Sequence, residues 1–301
     1  MNVGRHLMIG LRGTELDAEA RQLLRVVRPG GVVLFARNIE STRQVRALCR
    51  ALPAGTIIAI DQENRRVNRL RNIVGELPGI ADIKSPERFG RDVGRSLRRL
   101  GVHLDFAPVL DLEVFDAKTD NALRERCWGK TAAEVTARAG AFLRGLQAAG
   151  VAGCGKHFPG LGGARCDSHE ALPVIRRATE AEREPYAALM PDLVAVMVSH
   201  GLYPSLDNKP ASLSRKIIGG LLRRRLKFNG LVFTDDLEMK ALPQTSATVV
   251  RAFRAGADML LLCHTPEKIL AAHEALSRAK LPAARFAESA RRIQQFRRRW
   301  L

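Results

Sequence analysis

The sequence is poor in aromatic residues. Phe, Trp and Tyr make up 5% of its 301 residues, against 46% for all hydrophobic types. Aliphatic side chains and alanine must therefore fill the interior, and a chain of this length holds enough of them for a sizeable core. Long apolar runs are missing too. None approaches the roughly 18–20 residues that cross a bilayer, so no membrane span is expected. The opening residues, MNVGRHL, contain no charged leader followed by an apolar stretch and a small-residue cleavage site, so no signal peptide is expected either. Cysteine is sparse, odd in number and dispersed, at Cys49, Cys127, Cys154, Cys166 and Cys263. No Cys-x-x-Cys pair occurs, which argues against a zinc ribbon or a disulfide framework and for a reducing, cytoplasmic setting. Acidic residues are in deficit, 31 against 49 Lys and Arg, for a net charge of +18.

That excess raises the question of a nucleic-acid partner. The basic residues are spread along the chain, at 21 and 25, 95–99, 223–227 and 291–299, mostly at helical spacing beside Leu and Ala. No aromatics alternate with them and no nucleic-acid module is present. The charge reads as solvated helix faces, with no specific nucleic-acid partner. The same field favours an acidic substrate.

Short, nearly continuous apolar runs alternate with amphipathic helical patterns. The runs lie at 6–10, 31–35, 56–60, 103–107, 151–155, 195–199, 231–234 and 259–263. Strands buried on both faces of a parallel sheet have this composition. Helical periodicity falls at 17–27, 41–52, 86–100, 132–149, 180–190, 217–227, 248–255 and 266–279, with a terminal basic helix at 285–301. Ser41 and Thr265 are expected N-caps, and Gly150, Gly230 and Gly256 expected helix stops. Eight strand–helix units predict an α/β fold, a (β/α)8 barrel forming one domain over 1–301. A doubly wound sheet is the alternative; the absence of G-x-G-x-x-G after the first strand weakens it.

In such barrels the active site forms at the C-terminal ends of the strands. Ionisable residues gather there from the third strand to the seventh: Asp61-Gln62-Glu63, Asp111 with Arg124 and Arg126 beyond it, Lys156-His157, His200, and Asp235-Asp236. The histidines 157, 169 and 200 with Asp167 are of ligand type for zinc, yet no His-x-x-x-His pair supports a metal site, and none is expected. Alternatives remain at individual positions: Asp235 and Asp236 as helix caps, Arg66 and Arg69 as ion-pair partners.

The blocks IDQENRRVNRL, LDFAPVLDL, KHFPGLGGARCDSH, MVSHGLYPSLD and GLVFTDDLEM resemble, in order and spacing, the signature blocks of glycoside hydrolase family 3. The resemblance is greatest to its single-domain bacterial β-N-acetylhexosaminidases of peptidoglycan recycling. It implies a retaining enzyme with Asp235 as nucleophile, His169 as general acid/base and Asp167 as the partner orienting that histidine. Asp61, Arg69, Arg126, Lys156 and His157 match the sugar-binding positions. A carboxylate nucleophile suits retention, and a carboxylate beside an imidazole fixes its tautomer. The glycines at 160, 162 and 163 would make the segment bearing the dyad a flexible lid. The resemblance further implies hydrolysis of terminal β-linked N-acetylglucosamine without a metal or organic cofactor, an anionic muropeptide as substrate, and a monomer or weak dimer. A phosphorylase on the same residues and a non-catalytic carbohydrate-binding barrel are the alternatives.

The chain departs from the family pattern at the rim. Asn64 and Arg65 replace two glycines, Leu161 and Gly163 replace a His and an Asp, Arg124 stands at a glycine position and Trp128 at a phenylalanine. If the replaced glycines held left-handed backbone, Arg65 would be strained there.

Overall fold

The computed structural model describes residues 2–115, 122–164, 166, 170–176 and 179–301. Eight parallel strands close into a barrel: β1 Leu7–Gly10, β2 Gly31–Leu34, β3 Ile57–Ile60, β4 Leu104–Asp105, β5 Ala152–Phe158, β6 Ala195–Val198, β7 Leu231–Asp236 and β8 Met259–Leu262. Neighbours pair in sequence order, for example Val32 with Ile58 and Val196 with Val232, and Leu7 opposite Leu260 closes the ring.

Helices α1 Ala18–Val27, α2 Thr42–Ala51, α3 Arg71–Val74, α4 Pro86–Leu100, α5 Ala132–Ala148, α6 Glu184–Leu189, α7 Ser246–Ala255, α8 Pro266–Arg278 and α9 Ala283–Trp300 connect the strands or follow them. Between β6 and β7 the expected α-helix is instead a π-helix, Lys216–Arg225, with Gly219 and Gly220 at its middle. Ser41 caps α2 as expected, its hydroxyl accepting from the Gln44 N–H at 3.2 Å. Thr265 does not cap α8 with its side chain. The Glu238 carboxylate takes the Thr265 and His264 N–H groups instead. Gly256 ends α7 with φ 127° and Gly150 follows α5 with φ 83°. Gly230 ends no helix; a Cβ there would lie 2.3 Å from the Val194 carbonyl oxygen.

Each strand buries both faces, which explains the near absence of alternation in the sequence. Val32 and Leu34 point outward to the layer under the helices, and Val33 between them points into the barrel. The interior is filled by Met8, Val33, Ala59, Phe106, Met197 and Phe233 among others, so it is a packed core. Ile293, Phe296 and Trp300 of α9 join that inner cluster. Their spacing of three and four residues sets them on one helix face. The terminal basic helix is thus amphipathic, with its apolar stripe packed against the barrel interior.

Candidate active site

At the C-terminal ends of the strands lies a pocket of about 410 Å³. That is within the roughly 300–1,000 Å³ of small-molecule sites. Asp61, Arg66, Arg69, Arg126, Lys156, His157 and Asp235 all line it. Seven residues read from different segments of the sequence thus converge on one opening.

The floor of the site is a charge network. The Lys156 ammonium is 2% exposed and lies 2.6 Å from Asp61 and 2.7 Å from Glu63. Glu63 also accepts a two-pronged pair of hydrogen bonds from Arg126, both 2.8 Å. Burial alone would raise the Glu63 carboxyl, but Arg126 and Lys156 outweigh it and hold the acid well below the usual range. Burial likewise opposes the charge on Lys156, and Asp61 and Glu63 overcome it, so the lysine stays protonated. Beneath them the Asp105 carboxyl is fully buried. One oxygen accepts from the Gln62 N–H at 2.9 Å, and the other has no partner among the described residues. Burial pushes this acid well above the ordinary range and so favours its neutral form.

A second anchor fixes His157. Asp111, fully buried, sits 2.7 Å from its Nδ1 and accepts from its backbone N–H at 3.0 Å. The other Asp111 oxygen accepts from the Leu161 N–H at 2.7 Å. With Nδ1 hydrogen-bonded to the carboxylate, Nε2 is the ring nitrogen left for other partners.

Strand irregularities aim these residues. Lys156 and His157 belong to β5 itself, where the sequence suggested a strand ending before them. The ladder with β6 shifts register between Gly155 and Phe158, and both side chains line the pocket. The same happens in β7, which runs on to Asp236 and shifts register against β8 between Phe233 and Asp236. Strict alternation would send Asp236 away from Asp235, yet both line the pocket. A bulge allows this by breaking the period of two. Asp235 is half-buried, and its Oδ1 accepts from the Asp236 N–H at 2.9 Å. Asp236 orients the following loop through the Glu238 N–H at 3.1 Å and faces His264 at 3.2 Å.

His200 is not at the pocket wall. It is fully buried, with its ring nitrogens against the Ser212 hydroxyl at 2.7 Å and the Asp236 carbonyl at 2.8 Å. It supports β7 from behind. Among the described residues no group of three or more His, Cys, Asp and Glu has metal-holding geometry.

His169 and Asp167 lie outside the described residues. The chain on either side of them is described. Glu182 accepts from the Gly163 N–H at 3.3 Å and from the Thr179 N–H at 3.1 Å, so one carboxylate clasps both ends of the loop. Glu170, next after His169, pairs at 2.7 Å with Lys240 of the pocket wall. Gly160 and Gly162 are buried; Gly160 has φ 124°, and a Cβ on Gly162 would lie 2.3 Å from the Leu112 carbonyl oxygen. Backbone conformation at the first and close packing at the second favour glycine there.

The departures at the rim are accommodated. Neither Asn64 nor Arg65 has positive φ; the left-handed residue is Glu125, at 63°. Asn64 is buried, donates to the Glu125 carbonyl and accepts from the Arg66 N–H, both 2.8 Å. Arg65 reaches outward toward Asp82 at 3.9 Å, so it neither blocks nor builds the pocket. Leu161 lines the pocket, and Trp128 packs on Phe142 with ring centroids 5.4 Å apart.

Glu63 and Asp111 were read at the strand ends without a role, and Glu182 was not singled out; nothing in a single sequence says which partner each acid will face.

Known proteins resemble the chain over nearly its whole length. Residues 4–296 match the model of the glycosyl hydrolase family 3 N-terminal domain. A β-hexosaminidase of Pseudomonas aeruginosa is 40% identical over 292 residues, covering 91% of this chain and 87% of that one. Among solved structures, a family 3 β-N-acetylglucosaminidase from a Paenibacillus species superposes with TM-score 0.93 at 33% identity; it covers 99% of this chain, which spans only 62% of that longer protein. NagZ from Neisseria gonorrhoeae, solved with N-trifluoroacetyl-D-glucosamine, gives TM-score 0.84 at 28% identity over 98% of this chain and 90% of that one. On the family match and the identity to these relatives, the chain belongs to glycosyl hydrolase family 3 and is a glycoside hydrolase.

Proposed function

We propose that the protein is a retaining β-N-acetylhexosaminidase that removes terminal β-linked N-acetylglucosamine. The observation that carries this reading is the single pocket into which Asp235 projects beside the Lys156–Asp61 pair and His157. Hexosaminidase relatives at this identity support the choice of sugar. Asp235 attacks the anomeric carbon and forms a glycosyl ester. His169, oriented by Asp167, protonates the leaving oxygen and then, as base, activates the water that releases the sugar. Lys156, Asp61 and His157 bind sugar hydroxyls, with Arg69 and Arg126 completing the substrate contacts. The clasp of Glu182 and the Lys240–Glu170 pair tie down the described chain on either side of the dyad. The mechanism uses no cofactor.

The natural substrate in this reading is an anionic muropeptide met in the cytoplasm, and the protein acts as a monomer or weak dimer. No helix among the described residues is long and apolar enough to cross a membrane.

The test is release of 4-nitrophenol from 4-nitrophenyl N-acetyl-β-D-glucosaminide. Asp235→Asn should lose at least about a thousandfold in kcat. His169→Ala should lose far less on this activated leaving group, which scarcely needs an acid. An Asp235→Asn variant with wild-type turnover would remove Asp235 from the mechanism.

A further inference from the structure

A second depression lies apart from the sugar pocket. A groove of about 1,290 Å³ runs along the barrel flank between the π-helix, the C-terminal half of α7 and the start of α9. Its described lining carries nine Lys and Arg side chains and one acid, Glu288. Lys209, Arg215, Arg224, Arg251, Arg254 and Lys280 are exposed and form its rim. Arg223, Arg285 and Arg292 form its inner wall, each with a side chain 11–13% exposed. All three guanidinium groups converge on one buried carboxylate, Asp258, at 2.5, 3.3 and 3.3 Å.

Glu288, the other acid of the groove, pairs with Arg292 at 3.8 Å, so three cations face two anions and the inner wall keeps a net positive charge in a poorly solvated place. The Nε of Arg292 is buried and has no hydrogen-bond partner among the described residues. Burial and the mutual repulsion of Arg223, Arg285 and Arg292 lower the Arg223 guanidinium to about 10, against the pull of Asp258. Such an arrangement is relieved by an anion that enters the groove.

We infer that this groove is a binding site for a linear chain of linked phosphate groups that carries no bases. Guanidinium groups match phosphate oxygens in a two-pronged geometry, and cations along a groove of this size match a row of charges better than a single ion. Single-stranded nucleic acid is the poorer fit, because such sites stack bases on aromatic rings. No described lining residue of the groove is aromatic. The site is separate from the sugar pocket, although the segment 239–243 borders both: Met239 and Lys240 line the pocket, Ala241 and Pro243 the groove.

Titration calorimetry of the full chain with short inorganic polyphosphate, at two salt concentrations, tests this. The expected result is one saturable site, tighter by at least about tenfold than for oligothymidylate or polyglutamate of matched charge. The triple variant Arg215→Glu/Arg224→Glu/Arg251→Glu changes exposed residues only. It should abolish most of the affinity and lower the slope of log K on log salt by about three or more. Arg5→Glu/Arg21→Glu/Arg25→Glu removes as many cations from a different basic depression and should leave binding within about threefold. Equal weakening by both triples would show a general response to net charge and overturn the site. Equal affinity for oligothymidylate or polyglutamate would overturn the choice of ligand.

Discussion

Glu63 has more to balance than any other acid of the site. It alone accepts from both Arg126 and Lys156, and it is 4% exposed. Replacing it with Gln keeps the shape and removes the charge that Arg126 and Lys156 share, leaving Asp61 paired with Lys156 alone among the described residues. Breaking a buried pair in this way costs about 3–5 kcal/mol, far more than an exposed pair is worth. Urea denaturation of Glu63→Gln should show a loss of that order, with a fall in turnover as Lys156 shifts toward Asp61. A loss below about 1 kcal/mol would mean that water already screens the network. The case also marks what a single sequence withholds. Asp61, Lys156 and Asp235 were legible because each ends a strand, and strand ends are where this fold does chemistry. The pairing of Glu63 with Arg126, and of Asp111 with His157, crosses 63 and 46 residues of chain and depends on the closed ring. Which acid supports and which one meets the ligand is decided by the bulges in β5 and β7, and an apolar run does not announce a bulge.

At the scale of elements, all eight strands were readable, because buried parallel strands need unbroken apolar runs; most ends fall within a residue, while β4 is shorter than its run and β5 and β7 extend into the polar residues beyond theirs. The interval between β6 and β7 was read as an ordinary helix, since the spacing of Ile217, Ile218 and Leu222 suits either winding; in the structure it is a π-helix with all three side chains buried. The role of α9 was also hidden. Its arginines dominate the composition, while Ile293, Phe296 and Trp300 do the packing. Helix contacts show a similar economy. A Cβ on Gly145 of α5 would lie 1.9 Å from the Glu87 carbonyl oxygen of α4, and one on Gly90 of α4 would lie 2.2 Å from that of Phe142. The two helices touch backbone to backbone, and neither oxygen is a side chain that can turn aside. Gly145→Ala should therefore destabilise the fold by about 1–3 kcal/mol, although alanine is the better helix former. Gly13→Ala, where an added Cβ meets nothing within 4 Å, should change stability by less than about 0.5 kcal/mol. Thermal unfolding of the two variants side by side separates them. Equal melting temperatures would show that α4 and α5 part easily.

For the molecule as a whole, closure of the ring joins the two ends of the chain, and His6 stands at that junction. It precedes β1, and its Nδ1 lies 3.2 Å from the Asp258 carbonyl before β8 and 3.1 Å from the Ser289 hydroxyl of α9. Its ring packs between Phe253 and Phe286, with centroids 4.9 and 5.4 Å away. Burial lowers its pKa from the usual 6.5 to about 4; Arg285 and Arg5 add to the shift, and the Asp258 carbonyl opposes it. The unfolded chain therefore binds a proton at pH values where the folded protein does not. Stability falls as pH drops from 6.5 toward 4 and is not regained below, where both states are protonated. A shift of this size corresponds to a loss of about 3 kcal/mol across that window. His6→Asn keeps a polar group at the junction and cannot titrate. It should be less stable than wild type at pH 7, because the ring packing is lost, and should show a shallower fall between pH 6.5 and 4. Denaturant midpoints measured at several pH values in that window give both slopes. Parallel slopes would assign the acid sensitivity to other groups and make the junction a matter of packing alone.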